Sequence, residues 1–200
     1  MNIDMSHEKN MVQDGREARR HYSAYFEYQQ DAPGADRKRD FRWWERVMER
    51  QMERIDTFRL ECLPRDAEGL ASCARLGAGG LARVRTEGTR ELWTGRAVEA
   101  FRKEFLYDPF DKKGAIKWNA ALLKGRGRTV LASSSNGMRI GIHGVEEQDL
   151  LFYTDLIEGR HFSFYYWEDA GNGQVVSFQS IYAFAGDIVD IIQAYQQGKR

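Results

Sequence analysis

Apolar positions along this chain follow a helical period first and an alternating one later. Ala18, Tyr22, Tyr25 and Phe26 fall at i, i+4, i+7 and i+8, which predicts a helix over residues 16–30. Asp31-Ala32-Pro33-Gly34 ends it, because proline and glycine both oppose continuation. A second helix is expected over residues 41–55, with Asp40 as N-cap and Phe41, Trp44, Val47, Met48, Met52 and Ile55 as its apolar stripe. Its other face repeats like charges at i+4, Glu45 with Glu49 and Arg46 with Arg50, and reads as solvated.

From Thr57 the period becomes two. Phe58, Leu60 and Cys62 point one way and Arg59 and Glu61 the other, so residues 57–63 read as a half-buried strand. A short helix and a glycine turn follow over residues 70–80, then a hairpin over 81–94 turning near Glu87-Gly88. Val98, Phe101, Phe105 and Leu106 restore helical spacing until Asp108-Pro109, and residues 115–124 are assigned to another helix. The remainder reads as strands over 129–133, 138–143, 150–156, 161–168 and 174–184, with Asn136-Gly137 and Gly171-Asn172-Gly173 as hairpin turns. A last helix places Ile188, Ile191, Ile192 and Tyr195 on one face. The fold class expected is α+β, with a mainly antiparallel C-terminal sheet packed by N-terminal helices and a C-terminal helix. Residues 1–14 are polar and aperiodic and are expected to be disordered, leaving 15–200 as a single domain.

Composition narrows the class of function. Thirty bases and 30 acids cancel, so no global field draws the chain to nucleic acid or to an anionic membrane. No apolar run reaches the roughly 20 residues that a membrane-spanning helix needs, and no secretory h-region follows Met1. A cytoplasmic protein is expected. Two cysteines, Cys62 and Cys73, are too few for a disulfide framework or a zinc site of their own. They become redox-active only if folding brings them within bonding distance. No cofactor or metal is implied.

Locally the charges segregate. Residues 102–139 hold nine bases against three acids, and residues 140–190 hold nine acids against one base, Arg160. The acidic stretch is also aromatic. In Phe162-Ser163-Phe164-Tyr165-Tyr166-Trp167 both faces of one strand are bulky, so Tyr165 and Trp167 are expected either under a helix, such as that of residues 41–55, or in an exposed interface core.

Three functions follow from these features. The first is a non-enzymatic protein-binding protein, of toxin-immunity or inhibitor type, engaging a basic protein partner through Tyr165, Trp167, Glu168, Asp169, Glu158 and Asp155. The second is a hydrolase-type enzyme in which His143 and His161 meet Asp149 or Asp155 in an acid–base or metal site. A variant of it uses Ser133-Ser134-Ser135 as nucleophiles, without the strained elbow that such serines need. The third is a regulator binding nucleic acid or a phosphate ligand along Lys112 to Arg128, with Lys124, Arg126 and Arg128 in a glycine-rich loop. Nucleic acid is the weaker partner on charge alone.

Overall fold

The computed structural model describes residues 21–169 and 175–180. In chain order they form β1 (Tyr22–Tyr28), α1 (Arg37–Asp40), a 3-10 turn (Phe41–Trp43), α2 (Trp44–Met52), β2 (Thr57–Cys62) and α3 (Ala67–Ala78). The hairpin β3 (Ala82–Glu87) and β4 (Arg90–Arg96) follows, then α4 (Glu99–Tyr107). The chain continues through β5 (Ala120–Gly125), β6 (Arg128–Ser134), β7 (Arg139–Val145), α5 (Glu147–Ile157), β8 (Phe162–Asp169) and β9 (Val175–Ser180). The fold is α+β: all nine strands join one sheet in the order β3-β4-β2-β5-β6-β7-β1-β8-β9, and the pairings are antiparallel.

Strand alternation sorts side chains onto two faces. Register aligns Phe58 with Leu123, Leu123 with Leu131, Leu131 with Ile142, Ile142 with Ala24 and Ala24 with Tyr166. The helices pack on this face. Phe58 stacks on Phe101 of α4 at 4.1 Å with planes 5° apart, and Phe26 meets Trp43 at 5.0 Å and Tyr153 of α5 at 5.7 Å. Trp44 donates its indole N–H to the Phe105 carbonyl at 2.9 Å, tying α2 to α4. Phe26, Phe101 and Phe105 are fully buried, and each such ring contributes roughly 1.5–3 kcal/mol through removal from water.

Several segments differ from the periodicity argument. Residues 22–28 form a strand rather than a helix, because Tyr22, Ala24, Phe26 and Tyr28 also alternate and β1 lies between β7 and β8. The helix of residues 41–55 is broken into a 3-10 turn and α2, preceded by α1. Asp36, not Asp40, caps α1 by accepting from the Arg39 N–H, while Asp40 is buried. The helix expected over 115–124 is strand β5, and the strand expected over 150–156 is α5. A capping box at Glu146 and Asp149 starts α5. The turn at Gly171-Asn172-Gly173, the disorder expected over residues 1–14 and the final helix lie outside the described residues.

Candidate functional site

The structure separates the residues of the enzymatic reading. His143 on β7 sits opposite Ser23, and its Nδ1 lies 3.0 Å from the Ser23 Oγ. His161 sits at the other end of β1, where its carbonyl accepts from the Gln29 N–H. Six residues of strand part the two, roughly 20 Å. Asp149 is held by the capping box and by Arg50 at 2.9 Å, and Asp155 and Glu158 are exposed. No shared acid–base or two-His-one-carboxylate site forms from these residues, because the two histidines lie at opposite ends of β1. Among the described residues no group of three His, Cys, Asp or Glu side chains is placed to hold a metal ion. Ser133 is buried with its Oγ lacking a hydrogen-bond partner; register places it with Ala121 and Ile140 on the helix-covered face, and His143 with Gly141 on the other.

His161 belongs to a structural cluster instead. Its Nδ1 lies 2.9 Å from the Asp40 Oδ2 and its Nε2 3.2 Å from the Pro33 carbonyl. Asp40 also accepts from the Tyr28 hydroxyl at 3.2 Å, the Asp36 N–H at 3.0 Å and the Arg39 Nε at 3.1 Å. Burial alone would raise the pKa of this carboxyl; the hydrogen bonds from Asp36, His161 and Arg39 outweigh it and hold Asp40 below its ordinary value. Burial and the neighbouring Asp40 push the Tyr28 phenol up to about 12. The cluster pins the loop after β1 to the start of β8.

Tyr165 and Trp167 occupy the face away from the helices, where register pairs them with Tyr25 and Ser23. Both are 3% exposed. They are therefore neither packed under α2 nor displayed as an exposed patch. Phe162, Phe164 and Tyr166 point to the helices, as alternation requires.

The glycine-rich loop is a tight hairpin. Gly125 pairs with Arg128, leaving Arg126 and Gly127 as a two-residue turn with φ of 50° and 76°. The Arg126 N–H donates to the Asp56 carboxylate at 2.7 Å, so this amide serves the fold rather than a phosphate cradle. Lys112 and Lys113 lie elsewhere, in a turn whose backbone donates to Glu68 and Asp111. Lys117 is buried and paired with Asp108 and Glu104, not with the acids of residues 140–190.

Lys124 leads to a surface that the sequence argument did not assemble. The face of β3, β4, β2 and β5 turned away from the described helices carries Arg83 opposite Thr94, Thr94 opposite Arg59, and Arg59 opposite Leu122. The adjacent row aligns Arg96, Thr57 and Lys124. All four cations are exposed, and among the described residues none of them makes an ion pair or side-chain hydrogen bond. Their neighbours differ: Arg85 meets Glu87 at 2.9 Å and Arg90 lies 3.6 Å from Glu61. Between Arg59 and β6 the small side chains of Ala120 and Ala132 leave a shallow concavity of about 180 Å³, whose lining includes Glu61 and Leu122. The Glu61 carboxylate accepts from the Asn119 amide at 2.8 Å. Alternation in β2 and β3 shows each arginine facing outward; that β2, β3 and β5 share one platform depends on long-range pairing that no local pattern encodes.

No family model, curated protein or solved structure matches the chain.

Proposed function

We propose that this chain is a binding protein that engages an acidic protein surface through Arg59, Arg83, Arg96 and Lys124 on the open half of its sheet. The supporting observation is four exposed cations on adjacent strands without carboxylate partners. Arginine beside half-buried aliphatic groups such as Leu92 and Leu122 is the chemistry of a protein interface. The described strand positions facing outward here, from Arg83 across to Ala132, include no aromatic ring, whereas single-stranded nucleic acid is gripped by stacking. The partner's sign is thus opposite to the one suggested by the acidic segment, whose Tyr165 and Trp167 are buried.

The test is a titration of the full chain with an oligoglutamate peptide and, separately, with a single-stranded oligonucleotide. Arg59→Glu with Arg83→Glu should weaken peptide binding by roughly tenfold or more, and added salt should weaken it further. Lys112→Glu with Lys113→Glu changes net charge equally and should leave binding within about twofold of the parent. Equal losses in both variants, or tighter binding of the oligonucleotide, would overturn the reading.

A further inference from the structure

We propose that Cys62 and Cys73 form an oxidative modification site, a latent disulfide that tethers α3 to β2. The chain has two cysteines, and folding brings both to one place. Cys62 is the last residue of β2, pointing toward the helices; Cys73 lies within α3. Their sulfurs are 3.8 Å apart, both are free, and both are 0% exposed. A disulfide needs roughly 2.05 Å, a closure that small side-chain rotations of the pair can supply. Close packing holds α3 in place: a Cβ on Gly69 would fall 2.3 Å from the Lys117 carbonyl oxygen, and one on Gly77 would fall 2.6 Å from the Trp93 ring.

The oxidant is a peroxide. One sulfur attacks a peroxide oxygen; the O–O bond breaks, an S–O bond forms and one water leaves, giving a sulfenic acid. The second sulfur then attacks the first; the S–O bond breaks, the S–S bond forms and a second water leaves. Two thiols are oxidised and one hydrogen peroxide is reduced to two waters. The hydrogen bond with Cys62 and burial both push the Cys73 thiol up, so the resting state is a dithiol that reacts when α3 parts locally from β2. The neighbouring thiol captures the sulfenic acid before further oxidation.

The experiment treats the full native chain with hydrogen peroxide, alkylates remaining thiols, and digests with trypsin without reduction. Cleavage after Arg59, Arg65 and Arg75 isolates peptides 60–65 and 66–75, neither containing methionine. The expected result is these two peptides joined, with the mass of two hydrogens lost. The oxidised chain should also show a folding equilibrium constant raised by roughly a hundredfold, as a short cross-linked loop predicts. Cys62→Ala should give no joined species, and the oxidised parent should remain monomeric on a non-reducing gel, which separates this link from pairing between molecules; the parent chain alone decides the case if that variant fails to fold. Peptides recovered unlinked, carrying only added oxygen, or joined only when the oxidation is done in denaturant would overturn the site. A link that lowers the unfolding midpoint would overturn the tether.

Discussion

Asp40 shows what a single carboxylate does inside this protein. It has no exposed surface and gathers Tyr28, Asp36, Arg39 and His161. Its position before an apolar stripe resembles an N-cap in the sequence, and the identity of the true cap, Asp36, depends on a loop conformation that spacing alone does not reveal. Replacing it with asparagine keeps the shape and removes the charge. Asp40→Asn should cost about 2 kcal/mol or more at neutral pH, as loss of hydrogen bonds to a charged group predicts. The pH dependence follows from the depressed folded pKa. The stabilisation is complete above the unfolded value near 3.8 and is lost as pH falls through the lower folded value. Denaturation midpoints measured from neutral pH down to about pH 2 should therefore fall less steeply in Asp40→Asn than in the parent. Parallel curves would show that folding does not depress the Asp40 pKa.

At the scale of elements, the sequence was most legible where one face is wet. β2, α3 and α4 follow their polar–apolar patterns, Glu87-Gly88 turns β3 into β4 and Asn136-Gly137 turns β6 into β7 as their residues suggest. The pattern failed where both faces are occupied or where residue type and pairing conflict. β1 carries Tyr25 between buried Ala24 and Phe26, so its alternation is blurred into a helix-like spacing. β5 contains Ala120-Ala121-Leu122-Leu123, good helix formers that become a strand because β2 and β6 supply ladders on both sides. α5 was hidden by an aromatic run, although Glu146 and Asp149 at capping-box spacing were a readable start signal. Close backbone approach also sets these elements. A Cβ on Gly125 would lie 1.6 Å from the Arg54 carbonyl oxygen, so this end of β5 seats only glycine against the residues after α2. Gly125→Ala should destabilise by about 3 kcal/mol through forced backbone shift, read by urea unfolding. A change under roughly 0.5 kcal/mol, the ordinary size at a surface site, would contradict that packing.

Across the whole molecule, neutrality of charge conceals an uneven surface. Among the described residues, ion pairs take members of the blocks at residues 102–139 and 140–190 to partners inside their own block or in other segments. Lys117 pairs inside its own block with Asp108 and Glu104, Arg139 reaches Glu27, and Asp149 meets Arg50. Arg59, Arg83, Arg96 and Lys124, which have no ion-pair partner among the described residues, come from β2, β3, β4 and β5, segments spread over much of the chain. For that reason the candidate surface was not visible as a motif. The described helices take up one face of the sheet, and on the other face side chains are buried at Ser23, Ser163, Tyr165 and Trp167 and exposed at Arg59, Arg83, Arg96 and Lys124. Where an acidic partner docks is therefore a matter of location as well as of salt.

The most direct measurement is an amide-resolved NMR titration of the full chain with oligoglutamate at low ionic strength. Shifts should concentrate at β2, β3, β4 and β5 around Arg59, Arg83, Arg96 and Lys124, be reversed by salt and be absent from α5 and the Lys112-Lys113 turn. Shifts spread evenly over all exposed lysines and arginines, or confined to residues outside that half of the sheet, would contradict the proposed docking surface.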